Sequence, residues 1–242
     1  NRLVDHILSI NNNMLLPHQK TQKNTWLIRH PHQDSAMKLF CFPYAGRGAS
    51  LYYQWQGIFS KNIEVCPIQL PGRENRLKEK PLENIYELID ILEKAIAPEI
   101  DRPYAFWGHS MGSLIAFMIA SRLNDVLSIK PSHLFVSAFA SPSIHPNPFI
   151  KKMTEFFKSI GLDKIPKPDQ INDIPLDILK SLLLTTRPEL DQMPKEDILT
   201  ASMKAFMGDL NILESYMYDM NKPLNIPISE FHGDQDENVL LT

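Results

Sequence analysis

Residues 107–114, WGHSMGSL, place Ser110 between two glycines and directly after the short apolar run YAFW (104–107). The run has the residue types of a buried strand, and the next segment, MGSLIAFMIASRL (111–123), carries apolar residues at helical spacing. A G-x-S-x-G sequence between a strand and a helix forms a sharp turn that exposes the serine oxygen, and its glycines permit close packing. The stretch therefore predicts a strand, a turn and a helix, with Ser110 as a candidate nucleophile. A serine that only caps the helix is the alternative.

Short apolar runs alternate with helical patterns from about residue 25 to residue 140. The runs typical of buried strands are TWLIRH (25–30), KLFCF (38–42), IEVCPIQ (63–69), YAFWG (104–108) and HLFVSAF (133–139). The segments at helical spacing are LENIYELIDILEKAIAPEI (82–100) and MGSLIAFMIASRL (111–123). Strands that alternate with helices favour an α/β fold with a mostly parallel sheet covered on both faces.

Residues 143 to about 200 interrupt this alternation with helical segments that prolines separate. The segments are NPFIKKMTEFFKSIG (147–161), LDILKSLLL (176–184) and KEDILTASMKAFMGDLNILESYMYDM (195–220). They are either extra core helices or a lid over the carboxyl ends of the strands, where α/β sheets bind ligands. After them, NIPISEFHGDQDENV (225–239) predicts a further strand and an acidic turn.

Length and composition indicate one globular domain, since the chain has 242 residues, 43% of them hydrophobic and 22% charged. We assign residues 25–242 to this domain and the polar residues 1–24 to an N-terminal extension or linker. A formal net charge of −3 and scattered lysines and arginines argue against a nucleic-acid partner. Cys41 and Cys66 lie inside apolar runs, so we expect small buried side chains rather than a disulfide, which favours a reducing compartment.

The sequence contains no apolar stretch long enough to span a bilayer and no pattern of a secretory leader. We therefore expect a cytoplasmic protein without a membrane contact, and nothing in the pattern demands more than a monomer. The sequence also lacks a Cys/His spacing for zinc and a glycine-rich dinucleotide fingerprint, so no metal or redox cofactor is implied.

A serine hydroxyl needs a base to remove its proton, and the resulting oxyanion needs hydrogen-bond donors. One donor would be the backbone N–H of Met111, at the positive end of the predicted helix. A second is expected from the loop CFPYAGRGAS (41–50), for which an ordinary glycine turn is the alternative. The acid that orients the base should follow a later strand, where Asp236 is the first candidate and Asp234 its competitor. An acidic surface turn is the alternative for that segment.

Four segments, taken together, resemble the type II thioesterases of nonribosomal peptide and polyketide synthesis, which belong to the α/β-hydrolase superfamily. The segments are LFCFPYAGRGAS (39–50), QLPGRENR (69–76), WGHSMGSLIAF (107–117) and FHGDQDENV (231–239), in the order of the family. The resemblance implies an α/β-hydrolase fold with a mostly parallel central sheet, flanking helices and a helical lid at about residues 143–200.

The resemblance also implies the roles of individual residues. Ser110 would be the nucleophile, Asp236 the triad acid, and the backbone amides of Ala45 and Met111 the oxyanion hole. The implied reaction is hydrolysis of acyl groups from the phosphopantetheine arm of an acyl or peptidyl carrier protein. This reaction frees synthase modules that wrong or stalled acyl units have blocked.

Two features depart from the family pattern. The family's base is a histidine in a Gly-Gly-His-type loop beyond the acid, and no histidine lies between Asp236 and Thr242. We expect the base to lie beyond Thr242, since none of the eight histidines matches its position: His6, His18, His30, His32, His109, His133, His145 and His232. The second departure is Tyr44, where many relatives carry histidine, and we expect no loss of activity from it.

Two arginines of QLPGRENR, Arg73 and Arg76, are candidates for contacting an acidic carrier protein or the pantetheine phosphate. Solvated surface arginines are the more common outcome for such residues.

Two other functions stay open. The first is another hydrolase of the same fold, either a carboxylesterase or a medium-chain acyl thioesterase of fatty acid synthesis. The second is a catalytically silent module that docks onto carrier proteins, because a serine without its base loses most of the triad's acceleration.

Overall fold

A computed structural model describes residues 24–28, 34–59, 61–127, 130–186, 194–219, 223–234 and 236. Within them, five parallel strands form one sheet in the order β2-β1-β3-β4-β5. The strands are β1 (Met37–Phe42), β2 (Ile63–Pro67), β3 (Tyr104–His109), β4 (His133–Ser137) and β5 (Ile228–Phe231). The parallel sheet predicted from the alternating pattern is confirmed.

Six α-helices occur in the described part of the chain. They are α1 (Trp55–Ile58), α2 (Ile85–Ile96), α3 (Met111–Leu127), α4 (Pro148–Ser159), α5 (Leu176–Thr186) and α6 (Glu196–Glu214). Short 3-10 helices cover Ala49–Tyr52, Glu74–Arg76, Ala97–Glu99 and Pro168–Asp173. Helix α2 illustrates why such a segment is helical. The Asn84 side chain caps it by accepting hydrogen bonds from two backbone N–H groups, and its buried residues recur at helical spacing. None of the described helices is long and apolar enough to cross a membrane.

Successive strand residues point to opposite faces of the sheet, and in β1 the side chains on both faces are buried. Phe40 and Phe42 of β1 join the larger core, which also includes side chains of α2, α3 and α6. Leu39 and Cys41 point to the other side, where they pack in a smaller cluster with Tyr52. Helices α2, α3 and α6 therefore cover the face of the sheet that carries Phe40 and Phe42.

Both cysteines lie in neighbouring strands and are fully buried as free thiols, as predicted. Burial raises the pKa of the Cys41 thiol well above its usual value, and the nearby Cys66 adds to this. Both thiols therefore act as small apolar side chains of the core.

The prediction of a sheet strand at TWLIRH is wrong. Leu27 forms only an isolated antiparallel bridge with Ile68, outside the five-stranded sheet. The Ile28 N–H donates to the Pro67 carbonyl at 3.0 Å, so the segment pairs with the end of β2. Residues 29 and 30 lie outside the described residues. Residue types favour extended backbone, but they do not specify the direction or the partner of the pairing.

The chain leaves the sheet at the end of β4 and returns at β5, and the described segments between them are largely helical, as predicted. Helix α6 continues to Glu214, beyond the predicted lid boundary near residue 200. Of the predicted N-terminal extension, only Asn24 is described, and its side-chain amide donates to the Ala95 carbonyl at 2.9 Å.

Candidate active site

The turn between β3 and α3 has the geometry that the G-x-S-x-G sequence predicts. Ser110 adopts φ = 51°, a left-handed conformation that is rare for residues other than glycine, and it is half-buried. A Cβ atom at Gly108 would lie 2.2 Å from the Gly112 carbonyl oxygen, and one at Gly112 would lie 2.1 Å from the Phe42 carbonyl oxygen. Only glycine fits at both positions, so the strand, the turn and the helix pack closely around Ser110.

Hydrogen bonds to the end of β4 hold this turn in place. The Ser110 N–H donates to the Ser137 carbonyl at 2.8 Å. The buried Ser113 hydroxyl lies 2.9 Å from the carbonyl oxygens of both Gly108 and Ser137, and it accepts from the Ser137 N–H at 3.0 Å. Ser113 therefore joins the turn to the neighbouring strand. Sequence reasoning missed this residue, although its place three residues after the nucleophile puts it on the first turn of α3.

The loop that follows β1, residues 43–48, provides the second part of the site. Gly46 has φ = 77°, which turns the backbone, and the Arg47 N–H donates to the Tyr44 carbonyl at 3.0 Å. This turn lies at the carboxyl end of β1, and the register pairs Phe42 with Gly108 of β3. The loop and the serine turn therefore occupy the same edge of the sheet.

The Tyr44 side chain joins this loop to the serine turn and also contacts Arg47 within the loop. The Tyr44 ring lies edge-to-face on the His109 ring, with centroids 5.3 Å apart. The Arg47 guanidinium lies 5.9 Å from the centroid of the same tyrosine ring. Tyr44 thus packs against the residue that precedes the candidate nucleophile.

Both backbone amides predicted to form an oxyanion hole are available as donors. Among the described residues, none accepts a hydrogen bond from the N–H of Ala45. Met111 is the first residue of α3, so its N–H has no acceptor inside the helix, and it lies at the positive end of the helix dipole. Two donors aimed at one position are what a tetrahedral oxyanion requires.

The acidic turn after β5 comes to the same edge of the sheet. The Asp236 N–H donates to the Gly233 carbonyl at 3.2 Å, and Asp236 is half-buried, whereas Asp234 is exposed. The Asp236 carboxylate interacts electrostatically with the His109 ring. Burial and this proximity favour Asp236 over Asp234 as the candidate acid.

Comparison with known proteins decides the family. The family model of the thioesterase domain matches residues 37–149, from β1 to the start of α4. The gramicidin S biosynthesis protein GrsT of Aneurinibacillus migulanus is 37% identical over 220 residues, which cover 90% of this chain and 78% of that protein. The type II thioesterase BorB from the borrelidin biosynthetic cluster superposes with a TM-score of 0.70 at 28% identity, over 89% of this chain and 80% of that chain. The chain belongs to the type II thioesterase family.

The thioesterase has the α/β-hydrolase fold that the sequence predicted. It is also similar to the medium-chain S-acyl fatty acid synthase thioesterase of Rattus norvegicus, at 28% identity over 224 residues that cover 90% of this chain and 78% of that protein.

Three of the four described histidines of the thioesterase have polar partners of their own. His109 Nδ1 lies 3.1 Å from the Ser137 hydroxyl, and burial lowers the pKa of His109, which the nearby Asp236 only partly offsets. His133 Nε2 lies 2.9 Å from the Ser229 hydroxyl. His232 Nε2 lies 2.7 Å from the Glu230 carboxylate, and His145 precedes a cis proline. We assign none of these four as the base; His6, His18, His30 and His32 lie outside the described residues.

The expectations for Arg73 and Arg76 are wrong, because both side chains of the thioesterase are buried. Arg73 forms a two-pronged ion pair with Asp209 of α6, at 2.5 and 2.8 Å. Arg76 pairs with Glu79 and places its guanidinium 4.1 Å from the centroid of the Trp26 ring. Arginines are mostly exposed unless they are paired, and nothing local in QLPGRENR reveals a partner 136 residues away.

Proposed function

We propose that this type II thioesterase hydrolyses acyl groups from the phosphopantetheine arm of carrier proteins in nonribosomal peptide or polyketide synthesis. One observation carries the proposal: the left-handed turn at Ser110 shares an edge of the sheet with a loop whose Ala45 N–H has no acceptor in the described part. The names of two relatives support the pathway, since GrsT is a gramicidin S biosynthesis protein and BorB comes from the borrelidin biosynthetic cluster.

In the proposed reaction, the Ser110 Oγ attacks the thioester carbonyl carbon while the base takes the hydroxyl proton. The carbonyl electron pair moves onto oxygen, and the N–H groups of Ala45 and Met111 donate to this oxyanion. The oxyanion collapses, the C–S bond breaks, and the base returns its proton to the pantetheine thiolate. Water, deprotonated by the same base, then attacks the acyl-serine ester, the ester C–O bond to Ser110 Oγ breaks, and the base returns its proton to Oγ as the acid leaves.

The base is proposed to be a histidine, as in the family, and Asp236 is proposed to orient it and to stabilise its charged form. The half-buried position of Asp236 on the acidic turn after β5 supports this role.

The helical insertion between β4 and β5 is proposed to be the lid. Its first helix, α4, follows β4, whose last residue, Ser137, accepts from the Ser110 N–H. A lid in this position would exclude water from the acyl-enzyme and shape the acyl site. A carrier protein as partner, a monomeric state and a cytoplasmic location are parts of the proposal that rest on sequence and relatives.

The test compares three substrates with one acyl group in the full natural chain. We expect kcat/KM to be highest for the acyl-carrier protein, lower for the acyl-CoA and lowest for the p-nitrophenyl ester. Ser110→Ala should lose at least about 10³-fold in kcat with each substrate. The matched control is Ser159→Ala, because that exposed hydroxyl only donates to Phe156 within its own helix.

Each contrary result has a distinct meaning. Full activity of Ser110→Ala would overturn the mechanism. A preference for the simple ester would favour a carboxylesterase, and a preference for medium-chain fatty acyl groups would favour the function named for the rat relative. Binding of the acyl-carrier protein without turnover of any substrate would instead support a silent docking module.

A further inference from the structure

The buried ion pair between Arg73 and Asp209 joins three distant parts of the chain. Asp209 is fully buried on α6, and Arg73 lies in the loop after β2. The Asp209 Oδ1 accepts from Arg73 at 2.8 Å, and its Oδ2 accepts from Arg73 at 2.5 Å and from the Gly46 N–H at 2.6 Å. The same guanidinium also donates to the Arg47 carbonyl at 3.1 Å. The pair therefore holds the loop of residues 43–48 at two successive residues.

Stability alone does not explain such a pair. The attraction between two buried charges often fails to offset the cost of removing them from water, and an apolar pair of similar volume often stabilises a fold equally well or better. The carboxylate here makes three hydrogen bonds, and one of them goes to a backbone amide of the candidate oxyanion loop. The position of that loop is the property that an apolar pair would not preserve.

The bonded groups lie directly beside the Ala45 amide. The Gly46 N–H belongs to the peptide plane that follows Ala45, and Asp209 holds it. The Ala45 N–H belongs to the same peptide as the Tyr44 carbonyl, which accepts from the Arg47 N–H. Arg73 in turn donates to the Arg47 carbonyl. The ion pair therefore bonds the peptide plane after Ala45 directly, and it is linked through Arg47 to the peptide plane before Ala45.

We propose that Asp209 is a positioning residue, which acts through Gly46 and Arg73 to aim the Ala45 N–H at the oxyanion. The inference rests on the proposed function, because it takes Ala45 as part of the oxyanion hole. Arg73 neutralises the Asp209 carboxylate, so that the negative charge does not oppose the oxyanion. The fold thereby makes the oxyanion loop depend on helix α6 of the insertion.

The first test is Asp209→Asn in the full natural chain. We expect kcat to fall about 10- to 100-fold with KM for the acyl-carrier protein changed less than about threefold, since a misplaced oxyanion donor acts mainly on the transition state. Affinity for butylboronic acid, which adds to the serine to form a tetrahedral anion, should weaken by a similar factor. When Asp209→Asn is added to the inactive Ser110→Ala protein, its affinity for the acyl-carrier protein should stay unchanged.

The matched control is Asn211→Ala, two residues along the same helix. The Asn211 amide is buried and donates to Pro166 and Met207 within the insertion, so its loss should lower stability and leave kcat and boronate affinity near wild type. Equal losses of kcat in Asn211→Ala and Asp209→Asn, at equal stability, would overturn the proposal.

The double variant Asp209→Leu with Arg73→Met separates folding from positioning. An apolar pair should recover thermal stability, but it gives the Gly46 N–H no acceptor, so kcat and boronate affinity should stay low. Recovery of all three properties would overturn the proposal. Parallel assays with a p-nitrophenyl ester keep the two proposals distinguishable. If the wild-type enzyme cleaves the ester but not the carrier-bound thioester, the proposed substrate is wrong. The effect of Asp209→Asn can then still be measured with the ester.

Discussion

Gly112 lies so close to Phe42 that a Cβ atom on Gly112 would approach the Phe42 carbonyl oxygen to 2.1 Å. The contact joins the first turn of α3 to the end of β1, and thus the candidate nucleophile's helix to the strand that precedes the oxyanion loop. Because the atom approached belongs to the backbone, a side-chain rotation cannot relieve the collision. The strand or the helix would have to move.

Gly112→Ala should therefore destabilise the fold by about 3 kcal/mol, the upper range for overpacking a core, and lower activity because the serine turn shifts. Urea denaturation and kcat for a p-nitrophenyl ester measure the two effects. The control is Gly57→Ala, since Gly57 is exposed and a Cβ atom there meets nothing within 4 Å. A Gly112→Ala protein as stable and active as wild type would contradict the close approach.

Replacing Ser110 should separate stability from function. Ser110 has φ = 51°, so Ser110→Ala keeps a Cβ atom in the left-handed conformation, whereas Ser110→Gly removes it. We expect both variants to be inactive and Ser110→Gly to be more stable than Ser110→Ala by about 1 kcal/mol in urea denaturation. Ala138→Gly, at φ = 52°, should show a similar gain over wild type with the nucleophile intact. Equal stability of the two Ser110 variants would show that the turn is unstrained.

The buried imidazole of His109 should make stability depend on pH. Burial lowers the pKa of His109 below its ordinary value of 6.5, although the nearby Asp236 offsets part of the shift. As the pH falls through the ordinary pKa, the unfolded chain binds a proton that the folded chain does not. Protonation therefore stabilises the unfolded state relative to the folded state.

We expect the free energy of unfolding of wild type, relative to that of His109→Gln, to fall as pH decreases from about 7.5 to about 5. Urea denaturation of both proteins at each pH measures this difference, and the carboxylates common to both largely cancel. A difference that stays constant or grows toward acid pH would contradict the lowered pKa.

Arg76 should matter for stability and not for partner binding. Its guanidinium bonds the Gln69 carbonyl at 2.9 Å and the Glu79 carboxylate, and it lies against the Trp26 ring. Arg76→Ala should lower the free energy of unfolding by about 2 kcal/mol, because it leaves buried groups unpaired and removes packing. The KM for the acyl-carrier protein should stay unchanged, as it should in the exposed control Lys80→Ala. A large rise in KM without loss of stability would restore the view of Arg76 as a contact for the carrier protein.

Local patterns in the sequence determined much of this protein. Five of the six predicted strands appear in the sheet, and the predicted helices and the serine turn appear where expected. Each of these elements depends on residues within a few positions of one another. The requirement for Gly108 follows from the same local geometry, because the turn brings Gly112 against it, whereas the requirement for Gly112 comes from its contact with Phe42 in a distant strand. Burial of Cys41 and Cys66 also follows from the apolar runs that contain them.

The tertiary structure alone decided the features that join distant segments. Arg73, expected at the surface, is the buried partner of Asp209, and the Ser113 hydroxyl bonds the Ser137 backbone. Leu27 pairs antiparallel with Ile68 outside the sheet. The physical reason is shared. A buried charge, an unpaired hydroxyl or a short extended run is stable only beside a particular partner, and that partner comes from a part of the chain that local periodicity does not reach.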